Sequence, residues 1–368
     1  MTSTWDVIIV GAGPAGAMAA HQLGPVGARV LILEAAELPR AKPCGGGILS
    51  PASVTFPCPV DDLIQARADH CLRLYDHARP VTQKVGELVF INREDFDHRL
   101  VDSACTLHPN VQINTGSRVR QVEARDDRLR VEVNTGDKFE CQYLIAADGV
   151  FSRTARCLGL NPKPLVATAI DAELQVSHEA WERERHRATF NHFCVGDGYG
   201  WIFPKGPGRL SCGVGSWRRR FKVPAALDTF LTRSFAPGEI LARRDLAYPI
   251  PLYRDQRAIA TDRVCLAGDA GSLVEPVMGE GIRFALISGR LAGQAVADCL
   301  AGRASSCLPY QNAVQQGFAN GFFNLARFIL PIVLEAPDFF YRRFMEQGAN
   351  YFQLASTLAA RVDSANSN

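Results

Sequence analysis

Residues 5–34 read WDVIIVGAGPAGAMAAHQLGPVGARVLILE, a stretch in which two short apolar runs flank three spaced glycines. Residues 5–10 form a continuous run rich in Val and Ile, the pattern of a strand buried on both faces of a parallel sheet. Residues 17–23 predict a helix, and residues 28–33 predict a second strand of the same kind. The stretch therefore predicts a strand–helix–strand unit, and with it an α/β fold.

The turn between the first strand and the helix has the pattern GxGxxG, with Gly11, Gly13 and Gly16 as its glycines. The first glycine permits a tight turn, the second lets the backbone approach a pyrophosphate, and the third allows close contact between helix and strand. Glu34 closes the second strand about 20 residues later, where an acid accepts hydrogen bonds from a ribose. The unit predicts a dinucleotide site without choosing between NAD and FAD.

Two later strands are predicted to end in carboxylates. Residues 143–149 (YLIAADG) end in Asp148 and Gly149, and residues 263–269 (RVCLAGD) end in Gly268 and Asp269. Ligands of open α/β sheets bind at the carboxyl ends of the strands. After residues 276–282, Ala and Leu recur at helical spacing up to residue 300, so the N-terminus of a helix is predicted to point into the same crevice.

Together these segments resemble the FAD-binding flavoproteins of the para-hydroxybenzoate hydroxylase fold. The resemblance implies that the glycine turn and Glu34 bind the ADP half of FAD, that Asp269 holds the ribityl chain, and that residues 276–282 form a backbone bed under the flavin ring. For Arg93 it implies a cofactor contact, the alternative being a solvated arginine at a helix start. The cofactor-binding residues implied in this way are Gly11, Gly13, Pro14, Ala15, Gly16, Glu34, Ala35, Arg40, Cys44, Gly45, Arg93, Val119, Asp148, Gly149, Gly268, Asp269, Pro276, Gly279, Gly281 and Ile282.

Two further motifs, residues 42–47 (KPCGGG) and 198–205 (GYGWIFPK), are similar to geranylgeranyl reductases, which reduce the isolated double bonds of prenyl chains. The resemblance implies that Cys44 stands at the flavin face. It also implies that the substrate lies against five residues: Gly46, Gly47, Tyr199, Trp201 and Phe203. The alternatives are a flexible loop with a buried structural cysteine and a strand whose alternating aromatic side chains belong to the core.

Reduction of an isolated double bond needs a proton as well as a hydride, so a general acid is expected near the flavin. Cys44, Tyr199 and Glu280 are the candidates that the resemblance implies, and the sequence does not rank them. NADPH or reduced ferredoxin is the expected electron donor. Two other activities stay open: an FAD-dependent monooxygenase acting on an apolar substrate, and a quinone-linked electron-transfer flavoprotein.

The cofactor motifs are far apart in the chain, so the FAD-binding domain is predicted to be discontinuous and Rossmann-like. We assign residues 1–71, 91–165 and 250–305 to it, residues 72–90 and 166–249 to an inserted antiparallel-sheet substrate domain, and residues 306–368 to a C-terminal helical region. Phe318, Phe322, Leu325 and Ile329 recur at helical spacing. This stripe either docks on the protein or contacts a lipid chain or a membrane surface.

Composition narrows the remaining function classes. The chain has 368 residues, enough for about two domains at roughly 100–200 residues each. Its net charge of +2 is too balanced for a nucleic-acid partner, and suits an apolar substrate. The cysteines number eleven, and they contain no CxxC pair, so we expect reduced thiols, no metal and a cytoplasmic location, with membrane contact only at the periphery. The sequence does not indicate an oligomeric state.

Overall fold

The computed structural model describes residues 3–49, 56–75, 81–125, 127–160, 164–192, 194, 198–217, 223–254, 257–325 and 327–328. Within these ranges, every helix is too short or too polar to cross a bilayer. Ile329 of the C-terminal stripe and residues 330–368 of the predicted helical region lie outside the described residues.

The first sheet contains the predicted strand–helix–strand unit. Among the described residues its strands are β1 (Ser3–Val10), β2 (Val30–Leu33), β6 (Val111–Asn114), β7 (Val119–Ala124), β8 (Leu129–Val133), β9 (Lys138–Ala146) and β15 (Val264–Leu266). Their order is β6-β2-β1-β9-β8-β7, and β15 pairs with the last residues of β9, 144–146. The pairings of β1, β2, β6, β9 and β15 are parallel, whereas β7 and β8 form an antiparallel edge. The carboxyl ends of β1, β9 and β15 therefore lie together, as predicted.

The helix after β1 is α1 (Pro14–Leu23), which begins three residues earlier than predicted because Gly13 caps it and Pro14 occupies its first turn. The turn requires its glycines. Gly11 has φ +101°, and a Cβ there would lie 2.3 Å from the carbonyl oxygen of Ala147. A Cβ on Gly16 would lie 1.9 Å from the carbonyl oxygen of Gly11. Helix and strand are thus closer than any side chain allows.

The second sheet has the strand order β14-β10-β13-β12-β11-β4-β5-β3. Its strands are β3 (Gly47–Leu49), β4 (Ile64–Tyr75), β5 (Val81–Ile91), β10 (Leu165–Val176), β11 (Arg187–His192), β12 (Gly198–Pro204), β13 (Arg209–Ser216) and β14 (Ile240–Leu252). All its pairings are antiparallel except that of β11 with β4. Residues 47–49 and 64–71, which we assigned to the first domain, thus pair in the second sheet. Residues 64–69 (IQARAD) alternate between apolar and polar, but this alternation does not show which sheet the strand joins.

The helices are α2 (Arg93–Leu107), α3 (Arg153–Cys157), α4 (His178–Glu184), α5 (Val223–Ser234), α6 (Ile282–Leu300) and α7 (Pro309–Val314), with a π-helix at Gln315–Phe323. The helix expected up to residue 300 is α6. It packs so closely on α1 that a Cβ on Gly289 would lie 2.2 Å from the carbonyl oxygen of Ala15. This contact sets the N-terminus of α6 beside the glycine turn.

The C-terminal stripe divides into a docked part and an exposed part. Phe318 is buried, with its ring centroid 5.1 Å from that of Phe284 on α6. Leu325 is 41% exposed. Phe318 is absent from the walls of the large cavity described below, so here the stripe docks on α6 instead of lining that cavity.

Candidate functional site

A large cavity lies between the two sheets and joins the predicted cofactor motifs to the aromatic strand β12. Its walls come from the glycine turn, the KPCGGG loop, the ends of β9 and β15, the start of α6 and the inner face of the second sheet. The predicted residues that line it are Gly13, Pro14, Ala15, Cys44, Gly45, Gly46, Gly47, Arg93, Gly149, Tyr199, Trp201, Phe203, Gly268, Asp269, Gly279, Glu280, Gly281 and Ile282. Residues from all the predicted motifs therefore meet in one place.

The glycine turn has the features that a pyrophosphate requires. Gly13 caps α1 without a side-chain hydrogen bond, so the first N–H groups of the helix face no side-chain acceptor. Nothing crowds Gly13: a Cβ there would come no closer than 3.7 Å to Arg40 and 3.9 Å to Arg93. An open backbone surface, a helix N-terminus and two guanidinium groups are the donor set for a diphosphate, and the turn fits the ADP half of FAD.

Four buried or half-buried charges surround this turn. Arg93 donates from Nε and Nη2 to Asp97, at 2.8 and 2.7 Å. Arg40 lies between Asp97, at 3.2 Å, and Glu34, at 3.4 Å. Burial disfavours the charge of Arg93, but Asp97 outweighs this and the pKa of Arg93 is raised. With only 6% of its surface exposed, Arg93 is not the solvated arginine of the alternative interpretation.

Glu34 accepts the backbone N–H of Ala12 at 2.8 Å and that of Ala36 at 3.1 Å. These bonds fix the carboxylate beside the turn. Eight predicted cofactor residues do not line the cavity: Gly11, Gly16, Glu34, Ala35, Arg40, Val119, Asp148 and Pro276. Val119 is buried in the first sheet, and the carbonyl of Pro276 accepts the indole N–H of Trp217 at 2.9 Å. Cofactor contacts of these eight residues stay predictions.

The two strand-end carboxylates have different surroundings. Asp148 accepts the N–H and the hydroxyl of Thr154 through Oδ2, at 3.1 and 3.0 Å, and so joins β9 to the start of α3. Its buried Oδ1 has no partner among the described residues. Burial raises the pKa of Asp148. Asp269 lines the cavity 3.7 Å from Nζ of Lys42. Only Asp269 is therefore placed to contact a ligand in the cavity.

The KPCGGG loop forms one wall through its backbone. Gly46 has φ +69°, and a Cβ there would lie 2.1 Å from the carbonyl oxygen of Ile91. Cys44 Sγ accepts the N–H of Gly46 at 3.3 Å, which holds the thiol over the loop at the cavity surface. Lys205 Nζ donates to the carbonyl of Ile91 at 2.6 Å, and burial lowers its pKa. In the structure the loop is a turn held by these contacts.

The strand β12 directs three alternate aromatic side chains at the cavity: Tyr199, Trp201 and Phe203. Their neighbouring ring centroids lie 6.0 and 6.4 Å apart. Trp201 Nε1 donates to Asp171 at 3.2 Å, and Phe203 lies against Gly45. The stripe therefore both packs in the protein and forms a cavity wall.

Two of the three candidate acids are already engaged. The hydroxyl of Tyr199 donates to the carbonyl of Met278, and burial together with Glu275 raises its pKa. Glu280 forms an ion pair with Arg283 at 2.7 Å and accepts the N–H of Leu49 at 3.4 Å. Burial raises the pKa of Glu280, while Arg283 opposes the rise. Both groups hold the predicted flavin bed in place.

Sequence reasoning missed Asp171, Lys42 and Tyr248, which also line the cavity. Asp171 is the only acid among residues 165–172 (LVATAIDA) of β10. A single acid in an otherwise mostly apolar strand is the sequence signal that could have identified it. Lys42 lies in the quoted loop, with its ammonium 4.8 Å from the ring centroid of Tyr248. Tyr248 belongs to β14, whose place beside β10 no local pattern predicts.

Comparison with known proteins gives one family model and many relatives. The model described as lycopene cyclase protein matches residues 6–187. The chain is 30% identical to digeranylgeranylglycerophospholipid reductase 2 of Methanopyrus kandleri over 86% of this chain and 84% of the relative. It is 29% identical to menaquinone reductase of Mycolicibacterium smegmatis over 92% and 87%. A solved geranylgeranyl bacteriochlorophyll reductase-like protein from Thermoplasma acidophilum has TM-score 0.79 and 21% identity, over 92% of this chain and 89% of the other.

Proposed function

The chain belongs to the geranylgeranyl reductase family of FAD-dependent oxidoreductases, and on this basis we propose that it reduces isolated carbon–carbon double bonds of a prenyl lipid. The observation that carries the proposal is the cavity itself. One wall is apolar. It comes from the second sheet, through Leu49, Leu88, Phe190, Trp201, Phe203, Leu246 and Ile250, and from Val274 beside that sheet. Such a surface binds a hydrocarbon chain and offers few partners to a polar substrate.

The named relatives support the same substrate class. Their names refer to a digeranylgeranylglycerophospholipid and to menaquinone, and both compounds carry a polyprenyl chain. The shared chemistry is thus an unpolarised alkene in a long apolar chain. We propose a prenyl chain as the substrate, held with one double bond near Cys44 and Trp201.

FAD, when bound, supplies hydride at its reduced ring. The protein's contribution is binding, orientation and protection from water. Gly13 and the N-terminus of α1 would hold the pyrophosphate, Glu34 the adenosine ribose and Asp269 the ribityl chain. The loop at Cys44 and the bed at Gly279 would support the ring from the protein side. The aromatic wall of β12 would orient the alkene and exclude water, and a general acid at the cavity would supply the proton.

The proposal is tested by mixing anaerobically reduced holoenzyme with a digeranylgeranyl glycerophospholipid and with menaquinone. We expect flavin reoxidation together with a mass gain of the prenyl chain equal to two hydrogens per double bond reduced. The same phospholipid with fully saturated chains is the control, and it should leave the flavin reduced. If no prenyl lipid reoxidises the flavin or gains hydrogen, the proposal is wrong.

The same mixtures, together with a parallel set in which oxygen is admitted, separate the other two activities. Substrate-dependent oxygen consumption with an oxygenated product would identify a monooxygenase. Flavin reoxidation by menaquinone with an unchanged prenyl chain would identify quinone-linked electron transfer. Dithionite serves as the reductant here, so that the outcome does not depend on whether NADPH or reduced ferredoxin is the natural donor.

A further inference from the structure

We propose that Asp171 is the proton donor of the reaction, an inference that rests on the proposed alkene reduction. Asp171 lies on β10 and lines the cavity with only 5% of its surface exposed. Asp171 is not among the residues to which the sequence motifs assign a role in acid catalysis. Its hydrogen bonds, its position beside the loop at Cys44 and the charges around it support this role.

The two carboxylate oxygens of Asp171 are unequal. Oδ1 accepts the hydroxyl of Ser211 at 2.5 Å and the indole N–H of Trp201 at 3.2 Å. Oδ2 accepts no hydrogen bond from the described part of the chain. Because Oδ1 already accepts two hydrogen bonds, the single proton of the neutral carboxyl is expected on Oδ2. An acid that lines a cavity with such an oxygen can donate to a ligand there.

Asp171 also lies close to the predicted flavin face. Trp201 Nε1, which donates to Asp171, would lie 3.4 Å from a Cβ on Gly45. The indole therefore bridges the acid and the loop that begins at Cys44. A chain lying along Trp201 would therefore meet both the loop and Asp171 at the edge of the indole that carries Nε1. Hydride and proton could then reach the two carbons of one double bond from separate groups.

The surroundings of Asp171 favour its neutral form. Burial raises its pKa, against the opposing effects of Ser211, Lys205 and Trp201. The other titratable groups that act on it are Glu173, two residues along β10, and the thiol of Cys212 on β13. Its partner across β14 is the apolar Leu246. A carboxyl that keeps its proton near neutral pH is a suitable general acid.

In the proposed step the alkene gains a hydride from the reduced FAD, which becomes oxidised, and a proton from the Asp171 carboxyl, which becomes a carboxylate. One carbon–carbon π bond, the O–H bond of Asp171 and the N–H bond that held the hydride on the reduced FAD break, and two C–H bonds form. Asp171 then recovers a proton from water after the product leaves.

The test compares wild type with Asp171→Asn, which keeps an acceptor for Ser211 and Trp201 but carries no acidic proton. We expect the single-turnover rate of alkene reduction to fall by about 10²–10⁴-fold, the usual contribution of a general acid. Asp171→Glu should restore part of the rate. Asp245→Asn, an exposed acid on the neighbouring strand β14, is the matched control and should keep the wild-type rate.

Two readouts separate proton donation from a structural role. The wild-type rate should fall as pH rises through the pKa of Asp171. The hydrogen bond from Ser211 stabilises the carboxylate and lowers this pKa, so Ser211→Ala should raise the pKa and move the fall in rate to higher pH. Without any substrate, the wild type should lose stability relative to Asp171→Asn as pH rises above about 4, since a raised pKa in the fold means that the folded state binds more protons than the unfolded state.

An unchanged single-turnover rate in Asp171→Asn overturns the inference. So does a lost rate with no movement of the pH profile in Ser211→Ala, because Asp171 would then only position Trp201. Failure of the proposed function looks different: the wild type itself would reduce no prenyl lipid, whatever the variants do.

Discussion

Gly46 illustrates how single residues shape the cavity wall. Its left-handed backbone, at φ +69°, and its approach to Ile91 leave no room for a side chain. Cys44 depends on this turn because its sulfur accepts the N–H of Gly46. The three consecutive glycines therefore have different uses, and the central one is sterically required.

Gly46→Ala should destabilise the protein more than Gly27→Ala. Both glycines have positive φ, at +69° and +77°, but a Cβ on Gly27 meets nothing within 4 Å. Gly27→Ala should thus cost only the backbone term of about 1–2 kcal/mol. Gly46→Ala adds a backbone clash, worth roughly 1–3 kcal/mol more. Urea unfolding of the two variants measures the difference, and equal losses would contradict the fixed turn described here.

At this scale the sequence predicted which residues meet but not what each one does. Cys44, Trp201 and Asp269 all line the cavity, as their motifs imply. The engagement of Tyr199 with Met278 depends on a contact between β12 and the flavin bed, which no local pattern contains. The ion pair of Glu280 with Arg283 could have been predicted from the sequence, since the two residues are three apart at a helix start.

Among the elements, α1 and α2 determine the charge around the glycine turn. The N-terminus of α1 brings the N–H groups, and the first turns of α2 bring Arg93 and Asp97. Asp97 is fully buried and serves both Arg93 and Arg40. This acid fixes the two guanidinium groups that face Gly13.

Asp97→Asn should destabilise the protein by about 3–5 kcal/mol, because it leaves a buried arginine without its counter-charge. Asp62→Asn is the control: it removes an exposed partner of Arg99 on the same helix and should cost far less. Thermal unfolding of both variants is the measurement. Similar losses of stability for the two variants would show that the buried pair of Asp97 and Arg93 contributes no more to stability than an exposed pair does.

The helices and strands were predictable where their patterns are strong. The spans of β1, β2 and α6 agree with the predicted ones to within a few residues. The pairing of β3 and β4 in the second sheet was missed, because strand partners are set by tertiary contacts and not by the alternation within a strand. The strands assigned to the wrong sheet are β3, at one edge of the second sheet, and the first part of β4, which lies inside it.

For the whole molecule, the arrangement of the two sheets predicts that cofactor binding and stability are linked. FAD at 100 times its Kd should stabilise the protein by about 2.7 kcal/mol, if it binds the folded state alone. FMN lacks the AMP moiety of FAD, and with it the adenosine and one phosphate, so it should stabilise the protein less at the same concentration. Calorimetry of the apoprotein with each flavin tests this. An equal shift with FMN would contradict the assignment of Gly13 and Glu34 to the ADP half.

The interleaving of the two sheets along the chain was predictable from the spacing of the motifs. The cavity between them was not, because its apolar wall combines Leu49, Leu88, Leu246 and Ile250 from strands distant in sequence. These residues look like ordinary core positions when each is seen alone. Their common face appears only when the second sheet is assembled.

The central claim is that this one cavity holds a prenyl chain beside the cofactor. The most direct measurement is a crystal structure of the oxidised holoenzyme with a digeranylgeranyl glycerophospholipid. We predict a prenyl chain lying along Trp201, with one double bond between the loop at Cys44 and Asp171. A chain bound elsewhere on the protein, or flavin and water filling the space at Trp201, would contradict the account.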